Sequence, residues 1–191
     1  MELILASASP RRSEILKNAG FGFTVRVSDA DETLPENINT PQAAVEYLSK
    51  VKAMAVAAND DEVILSADTV VSLGNQILGK PKDDNDAFTT LRLLSGKTHS
   101  VFTGVTLRCR DRLSVFNVKT EVNFFELSDA EILNYIKSGE PLDKAGSYGI
   151  QGRAAVFVEK INGDYLNVVG LPLSRTAREL KKFQIFPKYA V

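Results

Sequence analysis

Apolar and polar positions along the chain divide it into short buried runs and amphipathic stretches. Leu3, Ile4 and Leu5 form the first apolar run, and the small residues Ser7, Ala8 and Ser9 follow as a turn. Ser9 suits an N-cap and Pro10 a first helical position, where no amide donor is needed. Ile15, Leu16 and Ala19 then continue a helical face that Gly20 ends. Residues 23–27 (FTVRV) alternate as a strand does. The acidic, turn-rich stretch from Ser28 to Thr40 predicts a loop. Thr40 and Pro41 open a helix that runs on through PQAAVEYLSKVKAMAVAA. Glu62–Pro81 predicts a buried strand, a turn at Gly74-Asn75 and a short strand. DDNDAFTTLRLLSG, with acidic residues first and Gly96 last, predicts a helix. Residues 99–127 predict two long strands joined near Asp111-Arg112. Ser128 and Glu131 form a capping box for a helix ending near Gly139. Residues 154–169 predict a hairpin about Asn162-Gly163, and PLSRTARELKKF a last helix. Helices and strands interleave, yet several neighbouring strands are joined by hairpins. The expected fold is therefore α/β with a mixed β-sheet and flanking helices, not a purely parallel sheet.

Composition narrows the function more than the fold. The chain has 191 residues, 44% hydrophobic and 25% charged, with a net charge of −1. That length favours one domain, spanning 1–191, or one domain with two lobes. The near-neutral charge argues against a broad nucleic-acid footprint, so any anion site must be a local basic cluster. A single cysteine, Cys109, forbids an intrachain disulfide and fits a reducing cytosol. The N-terminus lacks a signal-peptide pattern, and no apolar run reaches the roughly 18 residues of a membrane span. A cytoplasmic protein with no membrane partner is the expectation.

Several residues sit where the pattern alone does not explain them. Arg11 and Arg12 fall in the first turn of a helix, where the macrodipole is already positive. They are either surface arginines or an anion cradle, in which helix-start amides and two guanidinium forks grip phosphate oxygens. Asp68 places one carboxylate inside the apolar run VILSADTVV. It is either a strand-terminal aspartate with local partners, or a metal ligand or general base. Ser66 and Thr69 offer hydroxyls beside it. The acidic loop holds Asp29, Asp31, Glu32 and Glu36, one of which could complete a hard-cation site if the loop folds beside Asp68. Lys50, Lys52 and Lys80 are basic candidates, each weak alone. Two stretches approach a phosphate-binding P-loop and fail. GNQILGKP carries Pro81 where Ser or Thr is required, and SGKTH has Leu91 in place of the first glycine. His99, the only histidine, reads as a structural group. DKAGSYGIQG (143–152) reads either as a surface loop or as a loop whose Gln151 amide faces a pyrimidine edge.

LASASPRR, Asp31-Glu32, KVKA around Lys52, SADTVV, LGKP, LSGKTHSVFTGV, EPLDKAGSYGIQG and GDYLNVVGLPL occur in order from Leu5 to Leu173. Together they resemble the Maf family of nucleotide pyrophosphatases. The resemblance implies a two-lobed α/β fold around a deep cleft, similar to the inosine triphosphate pyrophosphatases, and frequent homodimers. It implies hydrolysis of a nucleoside triphosphate to a monophosphate and pyrophosphate with a divalent metal such as Mg²⁺, Mn²⁺ or Co²⁺. Asp68 matches the catalytic aspartate and, with Glu32, the metal-side carboxylates. Ser7, Arg11, Arg12, Lys52, Thr69, Lys80 and Gln151 match substrate-binding positions. Arg11, Thr69 and Gln151 match the branch that acts on dTTP and UTP, so a normal or modified pyrimidine nucleoside triphosphate is the expected partner. The alternative is a nucleotide-sensing regulator of septum formation.

Overall fold

The computed structural model describes residues 1–27 and 29–188. Ser28, the first residue of the expected acidic loop, lies outside them, as do 189–191. The elements in order are β1 (Glu2–Leu5), α1 (Pro10–Asn18), β2 (Thr24–Val25), α2 (Pro41–Ala55), β3 (Glu62–Leu73), β4 (Gln76–Leu78), α3 (Asp84–Leu94), β5 (Thr98–Cys109), β6 (Arg112–Phe124), α4 (Asp129–Ile136), β7 (Val158–Asn162), α5 (Tyr165–Val169) and α6 (Leu173–Lys182). Single-turn helices at Glu140–Asp143, Ala145–Ser147 and Arg153–Phe157 lie between α4 and β7.

The strands form one seven-stranded mixed sheet in the order β2-β1-β3-β5-β6-β7, with β4 paired to β3. β1 runs parallel to β2 and β3, while β3, β5, β6 and β7 are successively antiparallel. The mixed sheet expected from interleaved helices and hairpins is what forms.

The two faces of β3 have different cores, which follows from its period of two. Val63, Leu65, Ala67 and Val71 join the main core, with residues of α1, α3, α4 and α6. Ile64 packs with Ala53 and Val56 at the end of α2, and Val70 packs with Val45 of α2 and Phe102 of β5. α2 is therefore the helix of one face. Its register is fixed by polar contacts as well. Ser66 Oγ donates to Ser49 O at 2.6 Å, Ser49 Oγ meets Thr106 Oγ1 at 2.9 Å, and Arg108 Nε donates to Ala53 O at 3.1 Å. Arg108 thus supplies a cation and donors to the carbonyl end of α2, where both are favoured.

Two expectations are corrected. The strand expected over 23–27 shrinks to Thr24–Val25, because β1, with which it pairs, ends at Leu5. Arg26 turns away to pair with Glu62 at 2.8 Å. The hairpin expected about Asn162-Gly163 does not form. Only its first arm, β7, is a strand. Asp164 Oδ1 instead accepts from Leu166 N and Asn167 N and caps the helix α5. The Asx N-cap outcompetes the hairpin turn here because Asn167 gains two buried acceptors, Val101 O at 3.0 Å and Thr120 Oγ1 at 3.1 Å. The residues that argued against a P-loop behave accordingly: α3 starts at Asp84, past Pro81, and Lys97-Thr98 leads into a strand.

Candidate active site

The site is built on an uncovered stretch of sheet edge. On one side of β3, β1 pairs with residues 62–65 and β4 with 71–73. Among the described residues, no strand covers 66–70 on that side, and a cleft of about 720 Å³ opens there. Asp68 and Thr69 are adjacent in β3 and so point to opposite faces of the sheet, yet both reach the cleft.

Asp68 faces α2. Its Oδ1 lies 2.6 Å from Lys52 Nζ, and the same ammonium lies 2.9 Å from Glu32 Oε2. Lys52 is in the last turn of α2, where a cation also faces the negative helix end. The acidic loop does fold beside Asp68, with Glu32 as the carboxylate it delivers. Two carboxylates converging on one ammonium form a hard-oxygen donor set. Such a set fits Mg²⁺-type binding, in which one or two carboxylates act with substrate phosphates.

Thr69 faces the other way, toward Arg12. Arg12 Nε donates to Gly170 O at 2.8 Å, Nη1 to Ser7 Oγ at 3.1 Å and Nη2 to Thr69 Oγ1 at 3.2 Å. Three of the five guanidinium N–H donors are thereby taken, and two remain for a ligand. Burial lowers the pKa of Arg12, Asp68 opposes that shift, Arg11 adds to it and Glu32 opposes it. A bound anion would relieve both the burial and the Arg11–Arg12 repulsion. Ser9 occupies the N-cap of α1, but its side chain does not cap the helix. Its own N–H donates to Ser7 Oγ at 3.2 Å. The positive end of α1 is left facing the cleft with Arg11 and Arg12 upon it.

The hydroxyl behind Arg12 has its direction fixed. Thr103 Oγ1 donates its only proton to Asn167 O at 2.9 Å. At its 2.9 Å contact with Thr69 Oγ1 it must therefore accept. Thr69 gives its proton inward and receives Arg12 Nη2. Thr103 is fully buried and joins β5, α5 and Arg12 in one relay. Thr103→Val keeps the shape and removes the bridge. It is expected to lower Tm by roughly 5 °C, the cost of stranding buried partners, and to raise KM several-fold as Arg12 loosens. Calorimetry and steady-state kinetics check both.

The remaining cleft wall comes from the glycine-rich segment. Gly146 (φ +69°) and Ser147 (φ +62°) are successive left-handed residues, both buried. A Cβ at Gly146 would lie 2.8 Å from Val71 Cγ1, so the segment rides directly on β3. It is not the surface loop of the simpler reading. Tyr148, Ile150 and Gln151 line the cleft beyond it. His99 supports this wall from below: its Nε2 meets the Tyr148 hydroxyl at 2.8 Å, and its ring packs edge-on to Phe124. Burial lowers the His99 pKa to about 4, so the ring is neutral at physiological pH and structural.

Ser7, Arg11, Arg12, Glu32, Lys52, Asp68, Thr69, Lys80 and Gln151 all line this one cleft. Lys50 is exposed and does not. Sequence reasoning missed Thr103, Glu140, Asp143 and Lys144. The last three line the cleft, Glu140 from just before the DKAGSYGIQG stretch and Asp143 and Lys144 from its start, and nothing in the sequence sets Thr103 apart from other strand threonines.

A cleft beside an uncovered stretch of sheet that gathers Arg11, Arg12, Lys52, Lys80 and the carboxylates Glu32 and Asp68 has the charge to hold a phosphorylated ligand. Residues 2–183 match the family Maf, described as Maf-like protein. A dTTP/UTP pyrophosphatase of Bacillus cereus is 51% identical over 185 residues, 96% of each chain. A dTTP/UTP pyrophosphatase of Bacillus pumilus is 49% identical over 187 residues, 97% of this chain and 98% of that one. The chain belongs to the Maf family. Among solved structures, a HAM1 protein from Coxiella burnetii overlaps 95% of this chain and 99% of that one at a TM-score of 0.49 and 13% identity. At that level the overlap says nothing about chemistry. Among the described residues no helix is long and apolar enough to cross a membrane.

Proposed function

We propose that this protein is a nucleoside triphosphate pyrophosphatase that hydrolyses dTTP and UTP, including modified pyrimidine forms, to the monophosphate and pyrophosphate. The observation that carries the reading is the Lys52 ammonium joining Asp68 and Glu32 in the cleft that also holds Arg11 and Arg12. The identity shared with dTTP/UTP pyrophosphatases supports the substrate class.

The chemistry follows from charge. A triphosphate brings dense negative charge, and Arg11, Arg12 and Lys80 offer it cations from two sides of the cleft. Arg12 is oriented by three protein acceptors, so its two free N–H groups are preorganised for phosphate oxygens. Asp68, oriented by Lys52, accepts a proton from the attacking water. The water oxygen bonds to the α-phosphorus in line as the bond to the β-phosphate oxygen breaks, and pyrophosphate leaves with its charge held by the arginines. Glu32 and Asp68 would hold a divalent cation, which would supply Lewis-acid polarisation and charge neutralisation. The amide of Gln151 offers donors and an acceptor to the base edge. A cytoplasmic homodimer completes the reading, and sedimentation measures the second half of it.

The test is pyrophosphate release from a panel of nucleoside triphosphates with Mg²⁺, Mn²⁺ or Co²⁺. Release from dTTP and UTP is expected. Arg11→Ala should lower kcat/KM by about 10²-fold, as expected for a lost charge-assisted phosphate contact. An unchanged kcat/KM removes Arg11 from the site. Tight nucleotide binding with no release under any metal would favour a sensor over an enzyme.

A further inference from the structure

One carboxylate holds both ends of the segment that carries Gln151. Glu140 Oε2 accepts from Arg153 N at 3.0 Å. Glu140 Oε1 accepts from the Tyr135 hydroxyl at 3.1 Å, and that hydroxyl oxygen accepts from Gly149 N at 3.1 Å. Gln151 stands midway between the two anchored amides, in a turn closed by Gly152 N donating to Gly149 O at 3.0 Å. The two glycines mark where the carboxylate lies against the backbone. A Cβ at Gly152 would be 2.1 Å from Glu140 Oε1, and one at Gly149 would be 3.0 Å from the same atom. Gly152 has a negative φ of −102°, so space and not backbone conformation is what excludes a side chain there. Tyr135 is buried, and burial raises its pKa, so its hydroxyl keeps the proton it donates.

We propose that Glu140 and Tyr135 are positioning residues for base selection, fixing the backbone on both sides of Gln151 so that the donors and acceptors of this turn meet a uracil or thymine edge and not a cytosine edge. The inference rests on the reading of Gln151 as the base-facing group. The chemistry requires such a device. A glutamine amide carries a donor end and an acceptor end, and a half-turn exchanges them. Thymine presents a carbonyl acceptor where cytosine presents an amino donor. That half-turn lies within the side chain and is open on any backbone, so the amide alone does not tell the two bases apart. The main-chain N–H and C=O groups of this cleft-lining turn cannot exchange roles once both flanks are anchored, and they reject the base whose edge leaves them unpaired.

Tyr135→Phe is the cleanest test, because the ring and its edge-on packing against Phe157 at 5.2 Å remain while the bridging hydroxyl is lost. Glu140→Gln is the second variant. It keeps the shape but lets one oxygen serve where two did. The measurement is kcat/KM for UTP, dTTP and CTP by pyrophosphate release, with amide hydrogen exchange across 149–153 in the same proteins. Both variants should exchange faster in that segment. Both should lower the UTP-to-CTP ratio by about tenfold through KM, with kcat on UTP largely kept. Merely structural damage would lower all three substrates together and leave the ratio alone, and an unchanged ratio in both variants overturns the proposal whatever happens to Tm. If the wild-type protein hydrolyses no pyrimidine nucleotide, the proposed function fails separately. The ratio is then read as Kd for UTP against CTP, and no preference in the wild type, or an unchanged one in the variants, again overturns the proposal.

Discussion

Asp68→Asn is expected to lower kcat on UTP by about 10³-fold or more while the protein stays folded. Asparagine keeps the size of the side chain and its ability to accept at one oxygen, but it is neither a base nor an anionic metal ligand. The fold should tolerate the change for reasons visible around Lys52. The ammonium has a second partner, Glu32, at 2.9 Å, so losing Asp68 does not leave a buried charge alone. Asp68 itself borders the cleft, with its side chain 12% exposed, so water reaches the position. Removing one partner of a closed ion pair costs about 3–5 kcal/mol, and this pair is neither closed nor isolated, so a cost under about 2 kcal/mol is expected. Thermal unfolding and single-turnover kinetics separate the two effects. Full activity in Asp68→Asn would remove the base assignment. A collapse of Tm would make the carboxylate a structural group first.

The frame of the site was legible because its signals were local. Asp68 stands out as one carboxylate in a run of apolar residues, and Arg11 and Arg12 stand out because a helix start disfavours them. β3, β5, β6 and the capping box of α4 follow from patterns within about a dozen residues. What was not legible depends on partners far along the chain. The relay behind Arg12 joins Thr69 to Thr103 and then to Asn167, separations of 34 and 64 residues, and nothing near Thr103 distinguishes it from an ordinary strand threonine. Asn162-Gly163 carried a strong hairpin signal. The deciding groups were Thr120 and Val101, which give Asn167 its buried acceptors and make α5 the better solution. Glu140 drew no reading of its own beyond opening EPLDKAGSYGIQG, because its partners Tyr135, Gly149 and Arg153 meet only when the segment is folded.

Gly104→Ala is expected to cost at least about 3 kcal/mol, a Tm loss of roughly 6–12 °C, and to lower the activity of the molecules that remain folded. Gly104 has no unusual φ, so its backbone would accept alanine, and the obstacle is the helix above it. A Cβ built there lies 2.2 Å from Val45 O, 2.4 Å from Val45 C and 2.8 Å from Glu46 N, all of them main-chain atoms of α2. No rotamer change can make room, so the helix must lift by about 1 Å to reach ordinary contact distance. Lifting α2 strains each bond that sets its register, among them Ser66 Oγ to Ser49 O and the Ser49–Thr106 hydroxyl pair. The functional consequence follows from strand pairing. Gly104 is the register partner of Asp68, so the new methyl group emerges beside the carboxylate that Lys52 must reach from the same helix. Lys52 lies two turns beyond Val45, and a displacement of about 1 Å is enough to break a 2.6 Å contact. Activity should therefore fall at temperatures well below the lowered Tm, with kcat affected more than KM. A variant with unchanged Tm and unchanged kcat would mean that α2 lifts off Gly104 at no cost. The close approach of helix and strand could not then be what holds Lys52 against Asp68.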